Sequence, residues 1–277
     1  MTIVRGNFLV RGDIWFDEAP EKIPKVDVLY YYYLPKPATN QGFECDEEYT
    51  LLLDLTQEQD KLWKNLKKDN RYKIRRAAEK DRVSYEFWER IDSFILEEFL
   101  NFHKRFTSQQ GLKSLSKVAI SRLRTYADAG VLNVSQVKSQ EGNPLTWRVY
   151  YQGKNRVFPL HSASLRSSTD ASYNQLVGRA NRYHRWQDIL RFKNLGVLLY
   201  DFGGWYANTT NQHLLNINNF KEEFGGELVR HFNWRHGITL KGKLFLRLRK
   251  LLVSPPSHED VNSPNQVFPK LASETDH

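Results

Sequence analysis

Apolar and polar positions along the chain change period several times, and each change marks an element. Residues 26–34 carry Val26, Val28 and Leu29, run through four consecutive tyrosines (Tyr30, Tyr31, Tyr32, Tyr33) and stop at Pro35 and Pro37; such a run favours a strand. Residues 38–48 are polar and read as a turn, and 49–55 read as a second strand. Thr56, with Gln59 three residues on, has the form of a capping box. A helix is therefore expected to start there, with Leu62, Trp63 and Leu66 on one face and a break at Asp69-Asn70. Two further amphipathic helices are expected over 90–105 and 114–129, the second ended by Gly130. The chain then becomes strand-rich. A strand is expected at 131–137, and a hairpin from 145–151 and 156–161 turns through Gln152-Gly153-Lys154-Asn155. A serine-rich loop over 162–172 leads to a helix over 174–195, closed by Gly196. A strand to Asp201, a short helix carrying Lys221 and a last strand over 227–233 follow. In 240–253, Leu244, Phe245, Leu248, Leu251 and Leu252 share one helical face, among Lys241, Lys243, Arg247, Arg249 and Lys250. Residues 254–277 begin at Pro255-Pro256 and have the composition of a disordered tail.

A chain of 277 residues holds one large domain or two small ones, and the change of period places a boundary near residue 130. The net charge of +9 exceeds what solubility requires and points to an anionic partner: tRNA, a nucleotide or anionic lipid. The densest run is Lys61, Lys64, Lys67, Lys68, Arg71, Lys73, Arg75, Arg76 and Lys80. The single cysteine, Cys45, sits among Glu44, Asp46, Glu47 and Glu48, which rules out an internal disulfide and disfavours a nucleophilic thiolate. Scattered histidines give no metal-ligand spacing, so no metal and no cofactor are expected. Arg5, Arg11, Asp13 and Asp17 interrupt any apolar leader, and no run approaches the ~20 apolar residues of a span; a cytoplasmic protein is expected.

Candidate chemistry concentrates after the strand ending at Asp201. Gly203-Gly204 turn the chain, Trp205 and Tyr206 follow, and a short helix brings Phe220 and Lys221 beside Glu222 and Glu223, closed by Gly225-Gly226. On residue types alone, Lys221 is either a solvated helix lysine or a fixed cation near the open end of a strand, where α/β folds assemble sites. Asp201 could orient a nucleophilic amine, hold the Lys221 loop or cap a turn. Trp205 and Tyr206 serve either as a wall against an acceptor or as packing. Upstream, Gln175, Gly178, Arg179 and Ala180 have the Gln-x-x-Gly-x-Ala spacing of a pyrophosphate cradle, which needs free backbone N–H groups at a helix start. Arg179, Arg182 and Arg185 recur at a spacing that makes a stripe on a helix, open either to phosphates or to solvent. The segment 240–253 reads either as a membrane-surface contact or as a helix packed on the body.

The succession Asp-Phe-Gly-Gly (201–204) and Phe-Lys-x-x-Phe-Gly-Gly (220–226) resembles the Fem family of non-ribosomal peptidyl transferases, built on the GNAT acyltransferase fold. Leu53-Asp54-Leu55, followed by the stretch from Asn70 to Ala77, is similar to that family's first domain. The resemblance implies an α+β protein with a GNAT-like mixed sheet flanked by helices, in two GNAT-like units with the first shortened: 1–130 on the acceptor side, 131–239 as the second unit, then the basic helix and the tail. It implies Phe220 and Lys221 at the catalytic site with Asp201 beside them, and acceptor binding by Arg71, Arg75, Arg76, Trp205 and Tyr206. Donor binding then falls to Gln175, Gly178, Arg179, Arg182 and Arg185. The activity implied is transfer of an aminoacyl group from aminoacyl-tRNA to an amine of a cell-wall (peptidoglycan) precursor or small peptide, the acceptor being nucleotide- or lipid-linked. Two other readings stay open: an acyl-CoA-dependent N-acyltransferase, and a non-catalytic module that binds RNA or a membrane surface.

Overall fold

Ten strands form one mixed sheet in the computed structural model, which describes residues 1–252 apart from 7, 17 and 39–41. In chain order the elements are β1 (Thr2–Arg5), β2 (Val10–Trp15), β3 (Val28–Leu34), β4 (Phe43–Asp54), α1 (Gln59–Asn65), α2 (Lys68–Glu79), β5 (Ser84–Trp88), α3 (Ser93–Gln109), α4 (Lys117–Asp128), β6 (Leu132–Lys138), β7 (Pro144–Gln152), β8 (Arg156–Ser164), α5 (Ala171–Asn194), β9 (Leu199–Gly204), α6 (Gln212–Glu222), β10 (Glu227–Gly237) and α7 (Leu240–Leu252). The strand order is β1-β2-β3-β10-β4-β9-β8-β7-β6-β5. This is the expected mixed sheet flanked by helices. β10 lies between β3 and β4, so the sheet runs unbroken across residue 130.

Several local expectations are corrected. Residues 43–48 are strand, because β10 pairs with them from Phe43↔His236 to Glu48↔His231; that partner lies about 190 residues away, beyond any local signal. Thr56 does not cap α1. Its N–H and Oγ1 both bond Asp54 Oδ1, at 2.8 and 2.7 Å, and Glu58 stands at the N-cap without a side-chain bond. The helix break falls at Leu66-Lys67 rather than Asp69-Asn70. Ser162 and Ser164, expected in a loop, complete β8. The tail from 254 lies outside the described residues.

The sheet curls. Trp15 on β2 stacks on Tyr151 of β7 with ring centres 4.6 Å apart, although six strand steps separate them. A flat sheet would hold them about 29 Å apart. The concave face buries Trp15, Tyr33, Tyr151 and Phe158 under Phe99, Phe102 and Phe106 of α3 and Leu123 and Tyr126 of α4. The convex face buries Leu51, Leu53, Tyr150, Val157, Tyr200 and Phe202 under Leu62 of α1, Ile74 of α2 and Trp186, Ile189 and Phe192 of α5. Each such fully buried side chain is worth about 1.5–3 kcal/mol. Among the described residues, no helix is long and apolar enough to cross a membrane.

Candidate active site

The sheet opens between β8 and β9. These parallel strands pair only at Arg156↔Leu199 and Val157↔Tyr200, and beyond that point their carboxyl ends part. Ligands of open α/β sheets enter at such ends. On the convex side of the gap lies a cleft with about 540 Å³ of empty space, counted out to its solvent mouth. Arg148 of β7 and Ser162, Ala163 and Ser164 of β8 line it on one side, with Arg166 just beyond. Gly178, Asn181 and Arg182 of α5 and Ile217 and Phe220 of α6 line the other.

Three guanidinium groups therefore face one cleft. Arg148 is 1% exposed. It donates to Asp188 Oδ2 at 3.1 Å and to the Asn181 carbonyl and Oδ1 at 3.0 and 3.1 Å. Asp188 also accepts from Tyr85 at 2.9 Å and Tyr150 at 2.6 Å, a net that locks Arg148 in place. Arg182 pairs with Glu223 at 3.0 Å and lies 5.2 Å from the centre of the Phe220 ring. Burial, and then the neighbouring Arg182, lower the Arg166 pKa from its ordinary value. Arg148 Nε, Arg166 Nε and Ser164 Oγ are buried and bond to no protein group among the described residues. Buried donors left so cost about 1–3 kcal/mol each.

The motif residues divide. Phe220 reaches the cleft. Lys221 does not: it is 0% exposed, and its Nζ donates to the carbonyls of Gly203, at 3.2 Å, and Gly204. The expected open cation is thus a buried one. Burial, reinforced by Arg185, lowers its pKa to about 7, against an opposing pull from Asp201. Asp201 is also filled, accepting from Thr50 Oγ1, from Gly203 N at 2.7 Å and from the Arg156 guanidinium. It closes the foot of the β8/β9 gap and holds the glycine turn. Trp205 donates its backbone N–H to the Tyr49 carbonyl, and Asn218 brackets Tyr206 at 3.1 and 3.0 Å. Both rings are half-buried. Glu48, next to Tyr206 electrostatically, has its carboxyl raised to about 7 by burial and by Asp46.

The donor residues need correction. Gln175, Gly178 and Arg179 lie inside α5, beyond a start capped by Asp170, whose side chain accepts from Tyr173 N. Helix bonds consume the backbone N–H groups a pyrophosphate cradle would need, and the carboxylate at the cap repels an anion. Gly178 does face open space on the cleft. The arginine stripe is not a surface. Arg179 pairs with Asp81 at 2.6 Å, Arg182 with Glu223, and Arg185, 0% exposed, donates to Tyr200 at 3.0 Å. Of the three, Arg182 alone lines the cleft. On α2, Arg71 donates to the Lys64 and Leu66 carbonyls at the end of α1, while Arg75 and Arg76 are exposed. Arg148, Arg166 and Ser164 escaped the sequence reading; the one available signal was an arginine in the middle of the apolar stretch 145–151.

The basic run stands beside this cleft. Lys67 N and Asn70 Nδ2 donate to the Glu223 carbonyl at 3.1 and 3.2 Å, tying the α1–α2 corner to the end of α6. Lys61, Lys64, Lys67, Lys68, Arg75, Arg76 and Lys80 are all exposed there.

No protein-family model matches the chain, and no curated protein does. Solved structures do. The crystal structure of FemX aligns with a TM-score of 0.58 and 14% identity, over 82% of this chain and 75% of that one. The C-terminal domain of a putative lysylphosphatidylglycerol synthetase from Agrobacterium fabrum gives a TM-score of 0.49 and 14% identity, over 82% and 73%. L-PGS from Bacillus licheniformis gives 0.45 and 13%, over 81% and 73%. The chain has a Fem-like, GNAT-type fold, as its paired glycine motifs led us to expect.

Proposed function

We propose that this protein is an acyltransferase that moves an aminoacyl group from aminoacyl-tRNA to an amine of a cell-envelope precursor or small peptide. The observation that carries the donor is the continuity of charge: a cleft floored by Arg148, Arg166 and Arg182 opens beside the exposed cations of α1 and α2. A polyanion several phosphates long can follow that path. A coenzyme A donor needs a pyrophosphate cradle, and residues 175–180 do not form one. This chain shares the fold of FemX, and the resemblance of residues 201–226 to the Fem family supports the same reaction class.

In this reading the acceptor's neutral amine attacks the ester carbonyl carbon of the donor. A C–N bond forms, the C–O bond to the ribose breaks, and the amine proton ends on the released ribose oxygen. The negative charge that develops on the carbonyl oxygen is stabilised by donors already in place; Arg166 Nε and Ser164 Oγ have that capacity. Lys221 acts as a positioning residue, fixing the Gly203-Gly204 turn and with it Trp205 and Tyr206 beside the acceptor. Glu48, whose carboxyl exchanges a proton near neutrality, takes the amine proton on that side and returns it to the leaving ribose oxygen.

Fluorescence anisotropy with aminoacyl-tRNA and with acetyl-coenzyme A tests the donor. Binding to tRNA should weaken with a log–log salt slope of about −2 or steeper, and charge reversal at Arg75 and Arg76 should flatten it. Tight coenzyme A binding with no tRNA binding would overturn this donor and favour the thioester.

A further inference from the structure

α7 meets the rest of the protein through one narrow side. A Cβ on Gly242 would collide with the carbonyl oxygen of Asp27, the residue before β3, so the helix touches the backbone there. One turn on, Leu246 is 5% exposed. Thr239 accepts from Gly242 N at 3.1 Å and donates to Asp27 at 2.8 Å. These contacts set the rotation of the helix. Since each residue advances about 100°, Leu240, Leu244, Leu248 and Leu251 must lie on the opposite side, and they are 85%, 56%, 49% and 81% exposed. Phe8, 74% exposed, continues the patch at the start of the helix, with its ring 4.9 Å from Lys241 Nζ. Lys243, Arg247 and Lys250 are exposed as well, and α7 contains no acidic residue.

The apolar face of this amphipathic helix is thus turned away from the core, and cations border it. RNA would pair with the cations but leave the leucines without a role. A lipid surface uses both: apolar side chains enter the boundary between headgroups and acyl chains, and the cations meet lipid phosphates. We propose that the leucine face of α7, with Phe8, docks the protein on an anionic phospholipid surface. This inference is independent of the proposed transfer reaction.

Co-sedimentation of the full chain with vesicles tests it. Vesicles with about one-third phosphatidylglycerol should bind the protein at least ~30-fold more tightly than pure phosphatidylcholine. Lys243→Glu with Arg247→Glu and Lys250→Glu should weaken binding at least ~100-fold. Leu244→Ser with Leu248→Ser should weaken it at least ~10-fold. Melting temperatures should not move, because these side chains are exposed. Wild-type protein that ignores anionic vesicles overturns the proposal. So does full binding by the leucine variant, which would reduce the contact to adsorption of charge. Two other outcomes also overturn it: loss of concentration-dependent self-association in the leucine variant, which assigns the face to a second copy, and loss of tRNA binding in the charge variant with vesicle binding intact.

Discussion

Lys221→Met should change how stability depends on pH. Lys221 is fully buried, and its pKa falls from 10.5 in the unfolded chain to about 7 in the fold. Between those values the unfolded chain binds more protons than the folded one, so unfolding becomes harder as pH rises. Below pH 7 both states are protonated and the effect is flat. Over the whole window the difference is on the order of 5 kcal/mol, of which roughly 2–3 kcal/mol falls between pH 6 and pH 9. Methionine does not titrate. Wild type minus Lys221→Met should therefore gain roughly 2–3 kcal/mol between those pH values, while all other titrations cancel. Urea denaturation at matched ionic strength measures this, with equal slopes confirming that the exposed surface is unchanged. A difference that stays flat across pH 6 to 9 would show that Lys221 titrates as a solvated lysine and would refute its burial against the Gly203 and Gly204 carbonyls.

Arg148→Met breaks a buried pair with Asp188 and should cost about 3 kcal/mol in denaturation, at the low end of its class because Tyr85 and Tyr150 still donate to the carboxylate. Arg166→Met should leave stability within about 1 kcal/mol and weaken aminoacyl-tRNA binding at least ~10-fold in anisotropy. Gly226→Ala should destabilise by about 1–3 kcal/mol, read by thermal melting, since φ is +112° and a Cβ would sit 2.7 Å from the Leu52 carbonyl. In Glu48→Gln the acidic limb of the kcat/KM profile, expected near pH 7 from the raised Glu48 carboxyl, should disappear; an unchanged limb would remove Glu48 from the proton path.

The parts legible in the sequence are those whose signal is contiguous. Lys221 and Phe220 stand in one short motif between glycines, and the motif indicated the fold. The helices and the tyrosine strand β3 follow from local periodicity. The cleft's cations are different: Arg148, Arg166 and Arg182 come from a strand, a loop and a helix, and the pairing of β7 with β8 and the packing of α5 on both decide that they meet. The arginine stripe misled because three-residue spacing says nothing about what covers a helix. Asp81 and Glu223, distant in sequence, take two of the side chains, and Arg185 turns into the sheet against Tyr200. In α7 the amphipathic pattern was plain, but its direction was not. Gly242, small enough to touch the Asp27 carbonyl, chose the inner face and sent the leucines outward.

Gly178 offers the most direct test of the central claim. It lines the cleft, and a side chain there meets open space, so Gly178→Leu should fold normally and fill the site. The measurement is transfer of radiolabelled amino acid from bulk charged tRNA to a uridine-diphosphate-linked muropeptide bearing a free lysine amine. Acyl transfer in this cleft predicts a stable amide product with wild type and at least ~100-fold less with Gly178→Leu at an unchanged melting temperature. Equal product from both proteins, or product from acetyl-coenzyme A and none from charged tRNA, would contradict it.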